Sequence, residues 1–567
     1  MNSNLRLIKY RFAALISFFI FFFLPVSVPA VAPNNIFGIH LAQPHNDEID
    51  KAAELVNGKS GKWGYITLVI QENDRDKDKW QNIFNRLREK QLIPIIRLAT
   101  QPEGENWRRP EVKDADQWVK FLDSLNWVVK DRYIVLFNEP NHGNEWGGEV
   151  DEKSFYQVSL AFAKALKEKN KDFFVMLAGF DASAPSWRPG MEDEAVFLRR
   201  LAAEDQTLNT IFAYVDGWAS HSYPNPGFSG SPYDYGRGTI RTYEWELAFL
   251  KSLGVDKELP VFITETGWKR GQRSEESVAE YFREAFEDVW NQDSRVKAAT
   301  PFILDYQAPP FLDFSWKKYQ SSDYYYQYYV VQSLPKVKGE PDQVEKGEID
   351  FSLPKELVAQ SKYNLKLTLK NQGQAIWDKN DGYELRIDND GLKGSVLIGD
   401  LKEIKPFEEK TVDFSIKTDG EKEKEAVRFV LAKGGGEVIQ SKVWQYRVLP
   451  LPSLELKAGV WPFGKAIGDN FEVQIFDIDE NVVFKKKGVK MEAGAGQINN
   501  IQNVAIGELY RVVVLRPGYL PRQEYHIFES GDNSVKFKPL LPFDSDRDGK
   551  LSLKDLLLFL TKLFQPL

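Results

Sequence analysis

Between residues 35 and 335 the chain alternates β-favouring runs, apolar on both faces, with stretches of helical period. The β-like runs are NIFGIHL (35–41), WGYITLVI (63–70), LIPIIRL (92–98), YIVLFNEP (133–140), FFVMLAGF (173–180), YVDGWASHSY (214–223), PVFITETGW (260–268) and ATPFILDYQ (299–307). Strands that are apolar on both faces belong inside a sheet that is covered on both sides. The stretches between them show one apolar face each: Phe155, Val158, Phe162 and Leu166 in one, and Val278, Tyr281, Phe282, Ala285 and Val289 in another. Eight such units over roughly 300 residues predict a (β/α)8 TIM barrel of α/β class, whose usual size is about 250 residues plus insertions. A doubly wound sheet is the structural rival.

With 567 residues the chain exceeds one hydrophobic core, so further domains are expected. Arg6, Lys9 and Arg11 precede an uncharged run from Phe12 to Leu24, and small residues follow at Val28 and Ala30. This pattern predicts a secretory signal over 1–30. The alternative is an uncleaved anchor that holds the chain at the cell surface, although the run is short against the roughly 20 residues that span a bilayer. The barrel is expected over 31–338, ending in the aromatic tract 324–331 as a last helix packed inward. The charged linker KVKGEPDQVEKGE (336–348) then leads to short alternating strands. These read as an immunoglobulin-like β-sandwich over 349–450, and a second all-β sandwich module follows over 453–541. Cysteine is absent, which excludes a disulfide framework and a thiolate metal site. The net charge of −8, without a basic tract, gives no footprint for nucleic acid.

In a (β/α)8 barrel the chemistry sits where strands run out into loops. Polar residues at these points are His40 and His45 after the first strand, Arg97 on the third, Asn138, Glu139 and His142 on the fourth, His221 and Tyr223 on the sixth, Glu265 on the seventh, and Asp305 and Tyr306 on the eighth. Four of the five histidines fall among them, His45 reading as a loop residue. Closing the barrel would bring Glu139 and Glu265 to opposite sides of one mouth. Hydrolysis of a glycosidic bond needs that arrangement, one carboxyl protonating the leaving oxygen and the other attacking the anomeric carbon or activating water. Trp268 and Trp316 present flat faces able to stack on a sugar ring, with plain packing as the other reading.

NEP closing one strand and TETGW closing another three strands later resembles the retaining glycoside hydrolases of clan A, the cellulase, mannanase and β-xylosidase group. HSYP resembles the His-x-Tyr pattern of the same clan. The resemblance spans about residues 35–335 and implies cleavage of a β-linked polysaccharide or oligosaccharide by double displacement, with no catalytic cofactor; the N-terminal signal makes the protein secreted or cell-surface by expectation. It makes Glu139 the general acid and base, Glu265 the nucleophile, Asn138 the partner of the sugar 2-hydroxyl, Tyr223 the partner of the nucleophile, and His221 a lining residue on the acid side. His40, Arg97, His142, Trp268, Tyr306 and Trp316 complete the expected substrate-binding set. Two features depart from the clan: Tyr306 stands where a tryptophan usually closes strand eight, and Arg97 falls on the third strand rather than the second. A non-catalytic glycan-binding protein is the alternative, followed by a metal-dependent barrel hydrolase.

DSDRDGKLSLKD (544–555) puts Asp544, Asp546, Asp548, Ser552 and Asp555 at calcium-loop positions 1, 3, 5, 9 and 12, with Gly549 at the turn and the Lys550 carbonyl between. With the helix after it, the segment 543–567 resembles one dockerin repeat. A dockerin carries two, so a structural Ca2+ is expected here rather than a cohesin partner.

Overall fold

The computed structural model describes residues 32–205, 208–388, 396–462, 464–546 and 548–563. The expected signal segment, residues 1–30, lies outside them. The chain divides into two compact units, Met1–Asp342 and Gln343–Leu567.

The first unit is built on eight parallel strands: Gly38–His40, Gly64–Gln71, Leu92–Ala99, Arg132–Leu136, Phe173–Leu177, Trp218–His221, Val261–Glu265 and Val296–Ala299. The first five form one sheet in chain order, and the last three form another. Isolated parallel bridges join the two sheets at each side, Phe37 to Ala299 at one and Met176 to Gly217 and Asp181 to His221 at the other. The seams therefore carry isolated bridges, not the continuous ladder of a fully closed barrel. They are reinforced by Ala299 N donating to Ile36 O (2.9 Å) and Asp216 N to Val175 O (2.7 Å). Strand order nowhere reverses along the chain, as a doubly wound sheet requires.

Helices between the strands start at side-chain caps that satisfy otherwise orphaned N–H groups, such as Asp76, Asp151, Asp193 and Ser274. Helix Glu152–Lys169 buries Phe155, Val158, Phe162 and Leu166, the face its period predicts. The helix expected through Val289 is regular over Glu275–Glu284 and widens to π spacing over Ala285–Val289. The aromatic tract folds as helix Tyr326–Ser333, which buries Tyr328 and Val331 and exposes Tyr326 and Tyr329. An element absent from the expectation is the small hairpin Pro102–Glu103 and Asn106–Trp107 after the third strand.

The second unit is rich in sheet and has two apolar cores. One gathers Leu367, Trp377, Phe414 and Phe429, and the other Leu454, Phe471, Val512 and Val514. Most pairings are antiparallel and alternate buried with exposed residues, as in Ser361–Asn371 against Glu409–Thr418. Helix Leu553–Leu563 ends the described chain. Among the described residues no helix is long and apolar enough to cross a membrane.

Candidate active site

The fourth strand is buried from Ile134 to Leu136, and the backbone then turns left-handed at Phe137 (φ 70°) and again at Glu139 (φ 27°). Such conformations cost a non-glycine residue about 1–3 kcal/mol and persist only when the surroundings enforce them. Here Phe137 is wedged against Trp146 and Phe162, and Glu139 N donates to Gly179 O (3.1 Å). The double turn brings the Glu139 carboxyl to a cavity of about 370 Å³. Arg97, Asn138, His142, His221, Tyr223 and Glu265 line the same cavity.

Glu139, His221 and Glu265 each present an atom within 4.8 Å of the others. His221 Nδ1 lies 2.8 Å from Glu139 Oε1 and 3.8 Å from Glu265 Oε2. Tyr223 OH donates to Glu265 Oε2 (3.1 Å), while the Arg97 guanidinium donates to Glu265 Oε1 and to Asn138 Oδ1 (2.6 Å). Gly179 makes room for this cluster, because a methyl group there would lie 2.2 Å from His221 Cδ2.

The charges are ordered by these contacts. Burial would push Glu265 up, but His221 and Arg97 outweigh it and hold the carboxyl down at about 2. Burial and the Glu265 charge push the Tyr223 hydroxyl far up, so it remains a donor. Burial works against a proton on His221, yet the facing Glu265 and Glu139 raise it. His40, buried and close to Arg97, falls to about 3 and stays neutral. His142 is 2.9 Å from Asp181 and its proton is favoured despite burial; the same pairing outweighs burial at Asp181 and holds that carboxyl low. An ionised carboxylate thus stands close to a second carboxyl group across a cavity. Such a pair can attack an electrophilic carbon from one side and exchange a proton on the other. As a metal site the triad is compromised, because the Arg97 cation already engages Glu265.

Four expected substrate contacts are corrected. His40 is 2% exposed and sits behind the cavity wall, both ring nitrogens lacking a partner among the described residues. Trp268 is 2% exposed, packed on Phe282, and spends its indole N–H on Gly230 O (2.8 Å). Trp316 is likewise interior, its ring 4.8 Å from that of Phe282. Tyr306 lies off the cavity with its ring edge-on to Phe311, and the aromatic lining near the eighth strand comes from Phe302, Phe311 and Phe314. Arg97 does lie on the third strand, from which it reaches Glu265. His45 is exposed in the loop before the first helix, and Asp305 pairs with Lys317 (2.7 Å).

Sequence reasoning missed Trp107, Glu145 and Asp181, all of which line the cavity. Glu145 closes a single helical turn, Gly143–Glu145, in the loop after the fourth strand. Burial and the neighbouring Glu139 raise it to about 7, although Arg97 and a hydrogen bond with Asn138 pull the other way. The glycine-containing turn in PEGENW was the one available signal for the hairpin that carries Trp107.

In the C-terminal loop Asp544, Asp546 and Asp555 converge to within 4.8 Å. Asp544 is 5% exposed, and its Oδ1 has no partner among the described residues. Gly549 takes the left-handed turn (φ 81°). Asp548 Oδ1 accepts from Lys550 N (2.8 Å), and Ser552 Oγ donates to Asp555 Oδ2 (2.7 Å).

No family model matches the chain, and no curated protein matches it. Among solved structures it is similar to an endo-β-1,4-glucanase from Xanthomonas axonopodis pv. citri, at 12% identity and a TM-score of 0.36 over 53% of this chain and 98% of that one. It is similar also to a family 51 α-L-arabinofuranosidase from Bifidobacterium longum, at 9% identity and a TM-score of 0.38 over 68% and 95%. A xyloglucanase of glycoside hydrolase family 44 from Paenibacillus polymyxa aligns at 12% identity and a TM-score of 0.34 over 86% and 97%. These identities and scores are too low for the likeness to assign an activity to this chain.

Proposed function

We propose that the first unit is a (β/α)8 barrel with retaining glycoside hydrolase activity, acting on O-glycosidic bonds of an extracellular β-linked polysaccharide or oligosaccharide. The observation that carries this reading is the approach of Glu139 and Glu265 to within 4.8 Å across one cavity. Carboxyls about 5 Å apart leave no room for an intervening water and favour a covalent intermediate, whereas inversion needs roughly 6.5–9.5 Å.

In the first step the Glu265 carboxylate attacks the anomeric carbon while Glu139 gives its proton to the departing glycosidic oxygen. In the second, water attacks that carbon, its proton passes to the Glu139 carboxylate, and Glu265 leaves as carboxylate. His221 and Arg97 keep Glu265 ionised, and Arg97 and Tyr223 keep it aimed between steps. His221 holds the Glu139 carboxyl, and the Asn138 amide, its oxygen fixed by Arg97 and one N–H on Glu145, keeps its second N–H for the sugar 2-hydroxyl. The test is release of reducing ends from a panel of β-glycans by the chain from residue 31 onward, with NMR of the first-formed anomer and Glu265→Gln alongside. Retained configuration and a loss of about a thousandfold or more in the variant, roughly 4 kcal/mol of barrier, are expected. An inverted product would overturn the double displacement, and binding without release by either protein would leave a glycan-binding protein.

We read the N-terminal segment as an export signal and the second unit as two β-sandwich modules attached to the catalytic one. The C-terminal loop fits a structural Ca2+. The buried, unpartnered Oδ1 of Asp544 favours that assignment, since a lone carboxylate oxygen out of water is costly unless a cation or donor faces it.

A further inference from the structure

The hairpin after the third strand is braced on several sides. Thr100 Oγ1 donates to Arg108 O (2.6 Å), Arg108 N donates to Gln101 O (2.9 Å), and the Arg108 guanidinium pairs with Glu72 and with Asp114 (2.7 Å). Its second strand packs on the turn Gly143–Glu145, and Gly147 N donates to Trp107 O (3.0 Å). Trp107 and Glu145 therefore stand on neighbouring, rigidly held segments that face one cavity.

Trp107 differs from the interior tryptophans of its unit. Trp80, Trp127, Trp146, Trp218, Trp268 and Trp290 are buried and spend their indole N–H on protein acceptors, and Trp118 and Trp316 are buried in the core away from the cavity. Trp107 is half-buried, lines the cavity, and its indole N–H has no partner among the described residues. Beside it the Glu145 carboxyl makes one side-chain hydrogen bond, with Asn138. An aromatic face with a free N–H, next to a carboxyl group with spare hydrogen-bonding capacity, matches the two surfaces of a sugar ring: an apolar C–H face and a polar rim.

We propose that Trp107 and Glu145 form a second sugar position on the third-strand side of the catalytic carboxylates, built for a neutral pyranose ring. The inference rests on the glycosidase reading and deepens it: the preferred substrate has at least two sugars in the cavity, one at the carboxylate pair and its neighbour on the indole. Glu145 also sets the charge tolerance of the position. Once ionised it stands beside Glu139, and a sugar that carries a carboxylate or sulfate meets repulsion there.

The experiment compares kcat/KM on chromogenic mono-, di- and trisaccharide glycosides of the sugar that the wild type cleaves, for wild type, Trp107→Ala, Trp107→Phe and Glu145→Gln. Trp107→Ala should collapse the preference for longer over single-sugar substrates by tenfold or more, and Trp107→Phe should recover most of it. As pH passes about 7, where Glu145 loses its proton, the wild-type KM should rise more for a longer substrate whose second sugar carries a carboxylate than for its neutral counterpart; Glu145→Gln should flatten that difference. A loss equal at every length, or none, would overturn the inference while cleavage by the wild type leaves the glycosidase reading standing. If the wild type cleaves nothing, that reading fails by itself. Calorimetric binding of neutral β-oligosaccharides then decides: weakening by Trp107→Ala supports the second position, and unchanged binding removes it.

Discussion

Replacing Gly179 by alanine should disable the site from below, without altering any group that would meet substrate. The added methyl would lie 2.2 Å from His221 Cδ2 and 2.6 Å from Nε2, where ordinary contact begins at 3.4 Å. The ring must retreat by about 1.2 Å, or the Gly179 backbone must shift as far. Neither is easy, because Ala178 and Phe180 on either side are fully buried and His221 is 2% exposed. A retreat of that size carries Nδ1 out of line with Glu139 Oε1, which it now holds at 2.8 Å, and so displaces the Glu139 carboxyl or weakens its anchor. A misplacement of about 1 Å in a catalytic constellation costs on the order of a hundredfold in rate. Overpacking a tight core costs about 1–3 kcal/mol of stability. The expected result is therefore a drop in kcat/KM of about a hundredfold together with a lower thermal midpoint. Gly420→Ala, where a methyl group meets nothing within 4 Å, serves as the control. If Gly179→Ala kept kcat/KM within threefold of wild type and melted at the same temperature, the packing of His221 against Gly179 would not be what holds Glu139.

Two further outcomes follow from the electrostatics. Glu265 is held down at about 2 against its ordinary 4.5, so the unfolded chain binds more protons there between these values. The resulting stabilisation, about 3 kcal/mol, is full above about pH 5 and disappears as pH falls through 2; urea melts of wild type and Arg97→Met should differ at pH 6 and converge towards pH 2. Calcium at a hundred times its dissociation constant should stabilise the fold that holds the C-terminal loop by about 2.7 kcal/mol. Calorimetry with chelator and with Asp544→Asn should show that midpoint falling, whereas a chelator that abolished kcat would point to metal in the catalytic cavity instead.

What could be read from the sequence followed the range of the forces involved. The strands and the helix faces are local patterns, and each produces its element wherever the partners stand. Arg97, Asn138, Glu139, His142, His221, Tyr223 and Glu265 could be gathered because strand ends converge in any parallel α/β arrangement. His40 and Trp268 lie at equally suggestive positions, yet their side chains enter the interior, and one residue at a strand end does not reveal which way it turns. Trp107, Glu145 and Asp181 were missed for the opposite reason. They reach the cavity from loops, and a loop's approach depends on distant braces such as Arg108 with Glu72.

The left-handed backbone at Phe137 and Glu139 has a consequence for anyone who would engineer or evolve this chain. Glycine, or asparagine at the second position, would relieve part of the roughly 1–3 kcal/mol stored at each residue, so a screen for thermal tolerance alone is drawn towards position 139. Either of these replacements there deletes the carboxyl. A library selected for survival at high temperature should accumulate such changes and lose turnover, whereas one selected for turnover must find its stability elsewhere, away from this turn.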